Sequence, residues 1–198
     1  MSRGILFVMS GPSGTGKGTI CTELLKNENI FLSISSTTRE RRKGEVDGET
    51  YNYTTRDEFI SMIDNNEMLE YAEYSGNYYG TPKKTVEKML AEGRNVLLEI
   101  EPQGALKVKS IFPDAVLLFI IPPSMAELKK RLEERGREDD EQIKRRMNAA
   151  KWEFEQSAKY NRVFVNDDLE KCVNEIAAYL HKKEDERNFI NKLLNEKY

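Results

Sequence analysis

The feature that most constrains this chain is residues 11–17, GPSGTGK, set directly behind the apolar run GILFVMS at residues 4–10. The run shows no polar alternation. It therefore predicts a strand buried on both faces, the habit of parallel sheets. A helical pattern over residues 17–27 opens immediately after the loop. G-x-x-x-x-G-K between a strand and a helix is a phosphate cradle. Its glycines let successive N–H groups turn inward onto phosphate oxygens. The helix N-terminus adds partial positive charge, and Lys17 adds a full charge at the β- and γ-phosphates. Gly11, Pro12, Ser13, Gly14, Thr15, Gly16, Lys17, Gly18 and Thr19 are the residues expected around ATP. Gly18 departs from the usual pattern, where a Ser or Thr hydroxyl touches Mg²⁺. Thr19 follows it and is the candidate metal contact, directly or through water.

The rest of the chain alternates strands and helices. Apolar runs recur at residues 95–101, 115–121 and 162–166, with a weaker one at 31–35. Helices are expected over 55–65, 82–93, from Ser124, over 140–160 and from 169 to 182, continuing into a charged extension. This predicts an α/β fold with a five-stranded parallel sheet flanked by helices. Thr55 with Glu58, and Ser124 with Glu127, have capping-box spacing. Thr81 reads as a cap with Pro82 in the first turn. Between residues 36 and 79 the pattern lapses into a polar, Tyr- and Thr-rich stretch with Gly44, Gly48, Gly76 and Gly80, an inserted, partly β subdomain. Residues 135–141, RGREDDE, form a polar tip shaped like a mobile lid. Trp152 is expected as a core anchor.

The 198 residues fit one domain. The longest apolar runs, 5–9 and 115–121, fall well short of the roughly 20 residues that span a bilayer, and no signal-peptide pattern opens the chain. Cys21 and Cys172 make no disulfide framework, which suits a reducing cytoplasm. His181 is the single histidine, which argues against a histidine-rich metal site or a histidine-based triad. Net charge is −3, from 31 basic and 34 acidic groups. A nucleic-acid polymer binder is usually basic overall. Four basic groups nevertheless crowd into residues 39–43, which suggests a small polyanion, although an isolated cluster of this kind is also an ordinary solvated loop. The expected partners are small nucleotides, with no nucleic-acid polymer and no membrane.

A second pocket for the phosphoryl acceptor is expected in residues 35–51. Arg39 and Arg42 carry guanidinium forks that hold phosphate bidentately, and Tyr51 and Tyr79 add hydroxyl donors. Residues 35–42 (SSTTRERR) and 44–51 (GEVDGETY) are followed by Glu70 and residues 75–80 (SGNYYG). Then come residues 98–104 (LEIEPQG), 122–124 (PPS) and 165–168 (VNDD). Together with the G-K-G-T loop variant, these segments resemble guanylate kinase, in order and at family-like spacing, over residues 4 to about 182.

The resemblance implies a P-loop NTPase core built from residues 1–35, 82–124 and 160–198. It implies a mixed α+β GMP-binding subdomain at 36–81 and a helical lid region at 125–159. It also implies that Arg39, Arg42, Tyr51 and Tyr79 hold the GMP phosphate while Ser35, Glu70 and Thr81 read guanine. The chemistry of Glu70 agrees. A carboxylate accepts from guanine N1–H and the 2-amino group, and adenine has neither donor there. Glu99 and Glu101 end an apolar strand, where ligands gather in open α/β sheets. There a carboxylate orients Mg²⁺-bound water or a ribose hydroxyl. By the same resemblance Arg131, Arg135 and Arg146 reach the phosphates on lid closure and Asn166 lies near adenine, whereas Arg145 is surface. Lys17, Arg39, Arg131, Arg135 and Arg146 form the expected catalytic set. The implied reaction is in-line transfer from ATP, with Mg²⁺, to GMP and dGMP, in purine nucleotide metabolism, by a monomer or homodimer. A kinase for another nucleoside monophosphate or for a sugar bisphosphate, and a non-catalytic guanylate-kinase-like interaction module, are the alternatives.

Overall fold

The computed structural model describes residues 3–74, 76–136 and 139–194. Ser75 of the 75–80 segment, residues 137 and 138 of the expected lid tip, and residues 195–198 lie outside the described residues. The first half of the chain runs β1 (Leu6–Ser10), α1 (Lys17–Asn27), β2 (Ile30–Leu32), β3 (Ser36–Thr37), β4 (Asn52–Tyr53), α2 (Arg56–Asp64), β5 (Met68–Tyr74) and β6 (Asn77–Pro82). It continues through α3 (Lys83–Ala91), β7 (Asn95–Glu99), α4 (Pro102–Ile111), β8 (Val116–Ile121), α5 (Met125–Glu134), α6 (Asp140–Gln156), a short 3₁₀ turn, β9 (Arg162–Val165) and α7 (Leu169–Leu194).

The main sheet has five strands in the order β2-β7-β1-β8-β9, and each pairing is parallel. β1 lies at its centre, so both faces of that strand are buried. Phe7 and Met9 point into a core shared with Ile20, Leu24, Ile176 and Leu180 of α1 and α7. Leu6 and Val8 point into the opposite core, with Val86, Leu90, Ala105 and Val108 of α3 and α4. This two-sided burial explains the unbroken apolar run, since alternate residues serve different cores. Side chains of this kind each gain about 1.5–3 kcal/mol from burial. The second sheet is mixed, ordered β4-β3-β6-β5. β3 pairs with β4 in parallel, and β6 runs antiparallel to β3 and β5.

Three local expectations need correction. Pro82, not Thr81, caps α3, because Thr81 stays in β6 opposite Glu70 and gives its hydroxyl to that carboxylate. Ser124 caps α5 by accepting from Glu127 N–H, but the Glu127 side chain turns to Arg131 and does not complete the box. Trp152 is 43% exposed. On α6 the inward stripe is Ile143, Met147, Ala150 and Phe154, and Trp152 follows Ala150 by two positions, which turns it to the other side. Helix α4 was not expected from the sequence, although Pro102 at its start is a recognised opening signal. The Thr55–Glu58 capping box on α2 is formed in full. Cys21 and Cys172 are buried and form no disulfide. Among the described residues no helix is long and apolar enough to cross a membrane.

Candidate active site

The loop after β1 curls because its glycines adopt backbone that side chains resist. Gly16 takes φ +91°, and a Cβ there would sit 2.4 Å from Asn166 Nδ2. The same Asn166, 6% exposed, donates Nδ2–H to the Thr15 carbonyl at 2.8 Å. It thus braces the loop from the end of β9. Thr15 Oγ1 donates to the Pro12 carbonyl at 2.9 Å. Lys17 is buried at the start of α1, and its ammonium reaches back to the carbonyls of Gly11 and Pro12. The cation is therefore held at the mouth of the cradle, where the α1 N-terminus also points. Gly11, Pro12 and Gly14 line the curl and are buried, Ser13 is half-buried, and Gly18 and Thr19 are exposed.

The α5–α6 hairpin lies over this loop. Leu128 and Leu132 of α5 come within 3.1–3.2 Å of the place a Gly14 Cβ would occupy. Arg131 is held by Glu127 at 2.8 Å and donates to the Asn166 carbonyl at 3.0 Å. Arg135 reaches Ser13 Oγ at 3.5 Å. Two expected lid arginines thus face the cradle. Arg146 of α6 is half-buried and acts electrostatically on Glu153, while Arg145 is exposed and paired with Glu141.

On the second sheet, Glu70 is 7% exposed. Its Oε1 accepts the Thr81 hydroxyl at 2.8 Å, and its Oε2 lies 2.5 Å from where a Gly104 Cβ would stand. Burial pushes the Glu70 carboxyl above its ordinary range. Tyr51 and Tyr79 meet edge to face with ring centroids 6.0 Å apart. Burial first, and the charge of Glu99 second, push the Tyr51 phenol up to about 12, so it remains a hydrogen-bond donor. Arg39 lies 5.6 Å from the Tyr51 ring centroid and gives Nη2–H to both oxygens of Glu45 at 2.8 and 3.0 Å. Arg42 joins through its backbone, donating N–H to Glu45 at 2.8 Å, and its side chain is exposed. Ser35 is half-buried, and its carbonyl takes the Asn52 N–H.

Glu99 is the last residue of β7 and Glu101 stands just before α4. Glu99 acts on Lys17 and Arg135 from the cradle side and on Tyr51 from the other. Glu101 acts on Tyr51 and Glu70. Burial raises the Glu99 carboxyl above its ordinary range despite nearby Lys17. Gly18 faces this carboxylate, and a Cβ on it would stand 3.7 Å from Glu99 Oε2. The missing side chain leaves room beside a hard oxygen donor, which suits a small divalent cation. Among the described residues no group of three or more His, Cys, Asp or Glu side chains is arranged to hold a metal alone. The single carboxylate Glu99 beside Gly18 fits a cation whose remaining ligands are nucleotide phosphates and water.

Four participants were not found from the sequence. Glu45 lies in the 44–51 segment that carries the resemblance, but no role was assigned to it there. Tyr53 gives its hydroxyl to Glu45 at 2.8 Å. Gly104 backs Glu70. Glu153 on α6 feels the charges of Glu101, Lys17 and Arg146, and burial followed by the Glu101 charge lifts it to about 7.

A parallel sheet, a G-x-x-x-x-G-K loop braced by Asn166 and a second sheet carrying Glu70, with Arg39 in the loop after β3, define a phosphate-loop nucleotide-binding α/β protein. The guanylate kinase family model matches residues 3–183, and the chain belongs to that family. It is 54% identical over 180 residues to the guanylate kinase of Clostridium perfringens (strain 13 / Type A), covering 90% of this chain and 83% of that one. The guanylate kinase of Halalkalibacterium halodurans is 51% identical over 177 residues, covering 89% and 87%. The crystal structure of guanylate kinase from Anaplasma phagocytophilum superposes with a TM-score of 0.77 at 35% identity, covering 92% of this chain and 87% of that one.

Proposed function

We propose that this protein transfers the γ-phosphoryl group of ATP to GMP, and to dGMP, giving ADP and GDP. The observation that carries the reading is that the Glu99 carboxylate interacts electrostatically both with Lys17 of the cradle and with Tyr51 beside Arg39. A donor phosphate at the cradle and an acceptor phosphate at Arg39 and Tyr51 would meet there.

The GMP phosphate oxygen attacks the γ-phosphorus in line, and the ADP oxygen leaves. No covalent enzyme intermediate is needed, so catalysis is positioning plus charge neutralisation. The loop N–H groups and Lys17 hold the donor phosphates. Arg39, with Arg42, Tyr51 and Tyr79, holds the acceptor phosphate. Glu70, fixed by Thr81 with Ser35 nearby, accepts from guanine N1–H and the 2-amino group. Glu101 orients the ribose. Arg131, Arg135 and Arg146 bring the lid, residues 125–159, over the transferring group, and Asn166 supports the adenine side. The GMP-binding segment 36–81 closes from the opposite side, and together they exclude water that would otherwise hydrolyse ATP. Glu99 and Thr19, the latter directly or through water, would hold Mg²⁺ with the nucleotide. When bound, Mg²⁺ neutralises phosphate charge during transfer. We place the enzyme in the cytoplasm, with both thiols reduced.

Initial rates of ADP formation from ATP, with and without GMP, test this reading. GMP-dependent ADP release in a 1:1 ratio with GDP is expected. Tight GMP binding without any turnover would identify an interaction module instead.

A further inference from the structure

We infer that Glu45 is the residue that sets Arg39 for the acceptor phosphate, a positioning role that rests on the acceptor-site reading above. The geometry is unusually complete for a loop carboxylate. Both Glu45 oxygens accept from one nitrogen of Arg39, at 2.8 and 3.0 Å. Oε2 also accepts the Arg42 backbone N–H at 2.8 Å and the Tyr53 hydroxyl at 2.8 Å. Arg39 Nη1 is fixed separately by the Glu40 carbonyl at 2.7 Å. The guanidinium lies 5.6 and 6.0 Å from the ring centroids of Tyr51 and Tyr53.

Two consequences follow from this arrangement. Glu45 holds one nitrogen of the fork and the Glu40 carbonyl another. A guanidinium carries five N–H donors, so donors remain for a phosphate while the plane and position of the group are already chosen. The side chains of Arg39 and Glu45 are only 12% and 17% exposed, so the pair is shielded from water and keeps more of its strength than a surface ion pair. The Arg39 hydrogen bond first, supported by Arg42 and Tyr53, holds the Glu45 carboxyl down at about 2. It therefore stays charged at neutral pH. Without the carboxylate, Arg39 would have to be ordered at the moment of binding, at the entropic expense usual for a long side chain.

A double-mutant cycle with Glu45→Gln and Arg39→Ala tests the inference. Glu45→Gln keeps the shape and removes the charge. Losing a charge-assisted hydrogen bond of this kind predicts a rise in KM for GMP of about 10- to 100-fold, with KM for ATP and the melting temperature nearly unchanged. Tyr53→Phe, which removes one support, should raise KM for GMP by a smaller factor. In the Arg39→Ala background Glu45→Gln should have almost no further effect. An unchanged KM for GMP in Glu45→Gln, or fully multiplicative effects in the double variant, would overturn the positioning role while Arg39→Ala alone still reports on the acceptor site. If Arg39→Ala also leaves KM for GMP unchanged, the acceptor-site reading falls with it.

Discussion

Glu70 and Gly104 are in mutual contact: a single methyl group on Gly104 would stand 2.5 Å from Glu70 Oε2. The other carboxylate oxygen is already held by Thr81 at 2.8 Å. One side of the carboxylate is thus clamped by a hydroxyl and another is backed by bare backbone at the start of α4. There is no room for a side chain at residue 104 beside this carboxylate. Gly104→Ala should displace it. The expected result is a rise in KM for GMP of about 10-fold or more with little change in KM for ATP, measured by steady-state kinetics. Glu70→Gln, which turns one acceptor into a donor, should narrow the GMP-over-AMP preference. Burial raises the Glu70 carboxyl, and guanine needs the ionised form. GMP affinity should therefore weaken on the acid side at a higher pH than an exposed glutamate would give.

Lys17→Met should remove most turnover. The ammonium now caps the Gly11 and Pro12 carbonyls inside the loop and is the one full charge in the cradle itself. Loss of a donor to transition-state oxygens costs about 10²–10³-fold in kcat. The circular dichroism spectrum should remain that of the parent, because the core on both sides of β1 does not include Lys17.

Asn166→Ala should raise KM for ATP. The variant leaves the Thr15 carbonyl without its 2.8 Å partner, at a cost of about 1–3 kcal/mol. Part of that loss should appear in melting temperature and part as a slack loop. KM for GMP should change less, and equal effects on both substrates would contradict a role confined to the cradle.

Much of this architecture is legible in the sequence because it depends on local signals. The unbroken run in β1 reports a strand with cores on both faces, and the loop glycines report a backbone that side chains would block. The Thr55–Glu58 box is a contact within a single helical turn. What escaped depends on distant partners. Thr81 is not the cap because it stays in β6 opposite Glu70, eleven residues earlier in the chain, and donates its hydroxyl to that carboxylate. Glu45 acquires meaning only when the 39–53 loop folds back on itself. Trp152 looked like a core residue by type, yet the phase of α6 is set by Ile143, Met147, Ala150 and Phe154. The contribution of Gly104 is invisible without knowing that Glu70 lies against it.

Glu153 should make the nucleotide-free protein sensitive to pH near neutrality. Its folded-state value is raised from 4.5 to about 7, by burial first and by Glu101 next, against the opposing pull of Lys17 and Arg146. A raised folded value means a stabilising contribution that is complete below the unfolded value and lost as pH rises through about 7. Glu153→Gln stays neutral throughout. Its melting temperature should exceed that of the parent at pH 8, and the difference should shrink toward pH 4. A lower melting temperature at pH 8 would show that ionised Glu153 stabilises the fold.

The most direct test of the central claim is a substrate panel on the purified protein. Each of GMP, dGMP, AMP, CMP and UMP is offered with ATP and Mg²⁺, and the diphosphate product is identified. The account predicts efficient formation of GDP and dGDP, with AMP, CMP and UMP slower by orders of magnitude in kcat/KM. Comparable turnover of AMP, or no GMP-dependent turnover at all, would contradict it.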